Sequence, residues 1–352
     1  MAAKRAPFEI AEHRVNPGER RTLHLDLARL YTHTRLDLDV EVIHGRRPGP
    51  TLLISATIHG DELNGVEICR QLLKHKALTR LRGTLIVVPV VNIFGFIQRS
   101  RYLPDRRDLN RCFPGSEKGS LGSRVAHLFR TQVLAHASHV IDLHTGAAHR
   151  SNLPQIRANL SNPDAEGMAQ AFGAPVILDS KTLDGSMREC ADEMGIPLIL
   201  YEAGEALRFD DSAIRGGLRG ILRVLRHLEM LPPLQRTRPQ LEPVTANSSY
   251  WVRAHYDGIY RPLIRLGQRV TRGQVLGLIA SPFGNWEEPI TATHPGILIG
   301  RTNIPLVNEG DALFHIARFG TVTHHAQRRV EAISEAIGAH RLPEDQWNSP
   351  DK

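Results

Sequence analysis

Cysteine is scarce in this chain. Cys69, Cys112 and Cys190 are the only three among 352 residues. They give no disulfide framework, and the lack of any CxxC pair argues against a cysteine-built zinc site. Long hydrophobic runs are also missing. The most apolar stretch, residues 85–97, contains Pro89, Asn92 and Gly95 and is too short to span a bilayer. The first residues, Met1-Ala2-Ala3-Lys4-Arg5-Ala6-Pro7, lack the apolar core of a signal peptide. We therefore expect a cytoplasmic protein with no membrane partner. No aromatic-rich basic module stands out either. The net charge is +7, but the arginines are scattered along the chain, so nucleic acid is not the expected partner. Some of them are suited instead to an anionic small-molecule substrate, because guanidinium pairs bidentately with carboxylate. Assembly into a homo-oligomer is left open.

What is present is an ordinary globular composition, 41% hydrophobic and 23% charged, long enough for one large domain and a small one. The pattern divides the chain into an N-terminal extension at 1–36, an α/β domain at 37–230, a Pro-rich linker at 231–244, a β module at 245–320 and a tail at 321–352. Residues 37–43 alternate as a half-buried strand. Residues 51–57 and 84–92 are nearly continuous apolar runs, which suit interior strands of a mainly parallel or mixed sheet, with Pro89 at a strand end. Residues 139–146 and 196–204 read as two further strands, each ending in polar residues. Helical spacing marks 124–137 and 212–228, and Asn162-Pro163 is a cap and first-turn pair. Beyond residue 245 the runs shorten and glycine punctuates them, with a weak internal repeat between 258–268 and 296–311.

The stretch that organises the rest is His59-Gly60-Asp61-Glu62, on the turn between the 51–57 strand and the helix that follows. Open α/β sheets place their chemistry at such carboxyl strand ends. A hydrolytic zinc takes three protein ligands and leaves one position open. His59 and Glu62 supply two, and His144, at the end of another strand, is the best third. Asp142 lies two residues earlier on the same face, where it can hold the free N–H of a ligand histidine. Asp61 reads as a helix-start cap. The reaction also needs a proton carrier. Glu202 ends an apolar strand in the way His144 does, with Glu205 as its close rival. In the polar segment 94–119, Arg111 and Asn110 suit a substrate carboxylate, and Arg101 suits the oxyanion of a tetrahedral intermediate. Arg99, Arg106 and Arg107 are neighbouring alternatives for that last role.

Four motifs, His59-Gly60-Asp61-Glu62, Asp108-Leu109-Asn110-Arg111, Asp142-Leu143-His144-Thr145-Gly146 and Glu202-Ala203-Gly204, occur in the order seen in the succinylglutamate desuccinylase/aspartoacylase family. Over about residues 40–320 the chain resembles that family. The resemblance implies a zinc carboxypeptidase-like α/β fold with a mixed sheet flanked by helices, followed by a smaller all-β domain. It implies one zinc per chain on His59, Glu62 and His144, Glu202 as general base and acid, and Asn110 and Arg111 on the substrate carboxylate. Arg101 would polarise the scissile carbonyl. The β module looks like a lipoyl-type barrel or sandwich, yet no lysine occurs between residues 182 and 351, which excludes a swinging-arm carrier. The implied activity is zinc-dependent hydrolysis of a linear amide, the deacylation of an N-acyl amino acid. A zinc carboxypeptidase acting on a short peptide or glutamate-type tail is the alternative, and a non-catalytic metal-binding protein the third.

Overall fold

Ten strands form a continuous path through one large mixed sheet. From one edge the order is Ser248–Arg253, Ala312–Arg318, Gly296–Thr302, Arg150–Ala158, Leu198–Glu205, His139–Gly146, Arg47–Ala56, Arg82–Val88, Arg35–His44 and Arg20–Arg29. The computed structural model describes residues 5–234, 241–319 and 324–338. Arg47–Ala56, Arg82–Val88, His139–Gly146 and Leu198–Glu205 run parallel. The remaining pairings along the path are antiparallel. Arg82–Val88 ends one residue before Pro89, as a ladder that needs every N–H requires.

Helices cover both faces, which is why the central strands are largely apolar. On one face Ile54, Ile141 and Ile199 pack with Ile68 and Leu72 of helix Asn64–Leu73, Phe172 of Pro163–Phe172 and Ile221 of Asp211–His227. Cys69 lies in this layer, fully buried, where desolvation pushes its thiol pKa far up. On the other face Leu53 and Val140 pack with Phe129 of helix Leu121–Gln132 and Met187 of helix Met187–Glu193. Arg20–Arg29, within the stretch read as a polar extension, is an edge strand that buries Leu23, Leu25 and Leu27 on alternate positions.

The β module shares the large sheet. Gly296–Thr302 pairs with Arg150–Ala158 through Gly300–Asn152, Arg301–Ser151 and Thr302–Arg150. A separate four-stranded antiparallel sheet packs across it, and Tyr260, Leu276, Leu298 and Phe314 fill the space between. The two halves of the internal repeat fall on opposite sheets, in strands Gly258–Pro262 and Gly296–Thr302. Val244–Ala246 adds a parallel strand to Val176–Asp179. Of the tail, helix His324–Ile337 lays Val330 on Leu153, Ile297 and Ile299, where the α/β layer and the β module meet. Residues 339–352 and linker residues 235–240 lie outside the described residues.

His315 sits in the same junction. It stacks on Trp251 at 4.4 Å and contacts Ser249 Oγ through Nε2 at 2.8 Å. Burial, then the Arg157 and Arg150 charges, push its pKa down to about 3. The folded state therefore prefers neutral His315, while the unfolded chain protonates it below about pH 6.5. Stability is expected to fall as pH drops through this window, by about 2 kcal/mol between pH 6.5 and 4.5. Denaturant unfolding of wild type and His315→Gln over that range checks it. The wild type should show the steeper loss, and parallel curves would exclude His315 as the source.

Candidate active site

Three strand ends on one rim of the sheet carry the functional side chains. After Ala56 the chain turns through Thr57, a β-branched residue at φ +57°. That left-handed backbone costs about 1–3 kcal/mol and is tolerated where surrounding structure imposes it. Here the Thr57 carbonyl accepts from Asn92 N at 2.9 Å and Thr57 Oγ1 donates to the Glu62 carbonyl. Gly60 follows because nothing larger fits: a Cβ there would lie 1.9 Å from the Gly95 carbonyl carbon. The turn then delivers His59 and Glu62 to the rim.

His59 Nδ1 lies 2.7 Å from Glu62 Oε1, and His144 Nδ1 lies 2.9 Å from Glu62 Oε2. All three residues are buried, and their potential ligand atoms fall within 4.8 Å of one another. Each outer ring nitrogen is held by a carboxylate, His144 Nε2 by Asp142 at 2.7 Å and His59 Nε2 by Asp108 at 3.2 Å. Both imidazoles thus turn Nδ1 inward on one shared carboxylate. Ser55 Oγ donates to Asp142 at 2.8 Å, and Thr145 N donates to Glu62 Oε2 at 3.1 Å. Two imidazoles and a carboxylate, oriented by further carboxylates, are a donor set that fits a divalent metal.

Electrostatics agree with that arrangement. Burial opposes charge on both histidines. The Glu62 and Asp108 carboxylates outweigh it at His59, and Asp142 and Glu62 do so at His144, so both pKa values rise. Glu62 is held well below the usual carboxylate range by the two imidazoles, against its own burial. Asp108 is held down in the same way by His59 and Arg101. Asp61 does not cap the helix as its position suggested. The cap residue is Leu63, with no side-chain bond, and Asp61 Oδ1 is buried without a hydrogen-bond partner among the described residues. Burial, then Glu62, raises its carboxyl pKa.

Arg101 joins this cluster. Its guanidinium lies 2.9 Å from Asp108 Oδ2 and 3.4 Å from Glu62 Oε1. Of the alternatives, Arg107 pairs with Asp105 at 3.7 Å, and Arg106 is exposed on a left-handed turn. Glu202 stands in register with His144 on the neighbouring parallel strand. Its Oε2 accepts from Asn152 Nδ2 at 2.8 Å, while Oε1 has Arg157 Nε at 3.7 Å, beyond hydrogen-bond reach. Glu205 is tied elsewhere, to Asn303 at 2.8 Å and Ser151 at 3.3 Å. Asn110 is buried, with Oδ1 taken by Met187 N at 2.9 Å. Arg111 is exposed, with its guanidinium on the Asn110 carbonyl, and among the described residues it makes no hydrogen bond or ion pair with His59, Glu62 or His144.

Three residues here were not singled out from sequence. Asp108 falls inside the Asp108-Leu109-Asn110-Arg111 motif, but its spacing from Asn110 gives no hint that it reaches His59. Asn152 and Arg157 lie on Arg150–Ala158, a strand the pattern did not reveal. Pro154 and five polar residues within it hide the apolar positions. An extra residue around Pro154 bulges the pairing with Leu198–Glu205 between Asn152 and Gln155, and the bulged strand carries Asn152 to Glu202.

A large mixed sheet with helices on both faces, carrying a buried His–Glu–His group at its strand ends, defines an α/β architecture with a candidate metal centre. The chain belongs to the succinylglutamate desuccinylase/aspartoacylase family, whose catalytic-domain model matches residues 48–228. The N-alpha-acetyl-L-2,4-diaminobutyric acid deacetylase of Halomonas elongata is 27% identical over 285 residues, 77% of this chain and 83% of its own. A succinylglutamate desuccinylase structure from Silicibacter is 26% identical with TM-score 0.76, covering 89% of this chain and 98% of that one. The product-bound ectoine utilization protein EutE (DoeB) from Ruegeria pomeroyi shares the fold at TM-score 0.78 and 23% identity, covering 90% of this chain and all of that one.

Proposed function

We propose that this protein is a zinc-dependent amidohydrolase that removes the acyl group from an N-acyl amino acid. The observation that carries the reading is the inward-facing His59–Glu62–His144 set with Glu202 in register beside it. The Halomonas elongata relative, a deacetylase of an N-acetyl amino acid by name, supports the substrate class. Zinc fits the donor set, held by His59, Glu62 and His144, and would polarise the scissile carbonyl and acidify a water.

The chain's own residues do the rest. Asn152 occupies Glu202 Oε2, which leaves Oε1 as the atom that takes a proton from the attacking water and returns it to the leaving amine. Asp108 fixes Arg101 in place, so its guanidinium is pre-oriented toward charge developing on the carbonyl oxygen. Asn110 keeps its Nδ2 for a substrate carboxylate, with Arg111 as the exposed cation beside it. The compartment we propose is the cytoplasm. Among the described residues no helix is long and apolar enough to cross a membrane.

The test is turnover by zinc-loaded protein on N-acetyl and N-succinyl amino acids and on matched di- and tripeptides. An N-acyl amino acid is expected to be cleaved at least tenfold faster than the matched dipeptide. Chelation should abolish turnover and zinc should restore it. Preference for dipeptides would replace the deacylase by a carboxypeptidase, and activity that survives metal removal would overturn the zinc assignment.

A further inference from the structure

The chain's positive charge is scattered in sequence and gathered in space. At the rim opposite the active site lies a cleft of about 1180 Å³. Its wall carries Arg46, Arg47, Lys74, Lys76, Arg80 and Arg82, all exposed and none in an ion pair among the described residues. Arg20, paired with Glu41, and Arg226 also line it, and among the described residues Glu229 is its only lining carboxylate. With Arg20 offset by Glu41, seven cations face one acid, an excess of six.

A purely structural account falls short. Helices Asn64–Leu73 and Asp211–His227 both end at this cleft, and cations there complement helix dipoles. Each dipole terminus amounts to about half a negative charge. Two of them offset roughly one of the six. The remaining repulsion is retained in a well-built wall. A Cβ on Gly45 would lie 2.3 Å from the Leu81 carbonyl oxygen, so the two segments touch through backbone. Arg5 adds a further cation beneath, bound to the Gly45 and Gly83 carbonyls at 2.8 Å each.

We propose that this cleft binds a compact polyanion bearing condensed phosphate, inorganic or as part of a nucleotide. Its floor is recessed and aliphatic, with Ile43, Leu78, Leu81 and Leu231 buried. A pocket of this size suits a small ligand rather than a duplex. Among the described residues no Phe, Tyr or Trp lines it, so it offers no broad platform for stacking single-stranded bases. The site is separate from the catalytic centre. Strand Arg47–Ala56 joins the two ends of the sheet, and ten extended residues span roughly 30 Å.

The experiment is calorimetric titration of the zinc-loaded protein with inorganic tripolyphosphate, ATP, citrate and a 20-base-pair DNA duplex, at low and physiological salt. Wild type and Arg46→Glu/Arg80→Glu are compared. Tripolyphosphate or ATP is expected to bind, with salt-sensitive affinity that drops at least tenfold in the double variant. Tighter tripolyphosphate points to inorganic phosphate and tighter ATP to a nucleotide. Deacylation without added anion should be unchanged, which also reports that the variant folds. Phosphate chelating the catalytic metal would act equally on both proteins. Equal affinity in the two proteins therefore overturns the proposal, as does binding of the duplex alone or of citrate in preference to both phosphates.

Discussion

Glu202→Gln is expected to lower kcat by about 10³-fold while leaving bound zinc and the unfolding midpoint near wild type. General acid–base catalysis contributes about 10²–10⁴-fold, and in the proposed mechanism one carboxylate serves both directions of proton transfer. Glutamine is close in shape and can still accept from Asn152, so the contact at 2.8 Å survives. What it loses is the basic oxygen that faces no donor within hydrogen-bond distance. Steady-state kinetics with metal analysis of the same sample checks this. Activity within tenfold of wild type would exclude Glu202 as the proton carrier. Glu205 would then be the remaining acid nearby, although Asn303, Ser151 and Arg208 already engage it.

His144→Ala is expected to cost both metal and stability. The imidazole lies between Glu62 at 2.9 Å and Asp142 at 2.7 Å, all three nearly inaccessible to water. Removing it leaves two buried carboxylates facing a void. Breaking a buried charge pair from one side costs about 3–5 kcal/mol. Zinc content should fall from about one per chain to under about one-tenth, because a catalytic zinc uses three protein ligands. Turnover should fall at least as far as in Glu202→Gln. Elemental analysis and thermal unfolding read the two effects separately. Full zinc occupancy in the variant would remove His144 from the ligand set.

The parts of this molecule that could be read from sequence are those whose cause is local. Residues 85–88 of Arg82–Val88, and Val140, Ile141 and Leu143 of His139–Gly146, are apolar because helices cover both faces, and that shows as a nearly continuous run. His59, His144 and Glu202 stand where such runs end. Arg150–Ala158 was hidden because its neighbours are distant: Leu198–Glu205 on one side and Gly296–Thr302 on the other. Its Pro154 is permitted by a bulge that only the partner strand reveals. Arg20–Arg29 carried a period-two signal at Leu23, Leu25 and Leu27, diluted by the charges of its exposed face. Asp108 reaches His59 across 49 residues of chain, a contact that spacing alone does not encode.

The strand that supplies Asn152 to Glu202 is also the strand to which the β module is laced. Swinging that module away would strip the ladder at Gly300–Asn152 and pull on the donor that holds Glu202. The two modules are therefore mechanically one plate, and the mouth of the site cannot widen by hinging there. Any widening of the site falls instead to the loops of the rim, between strand ends that the sheet holds at fixed spacing.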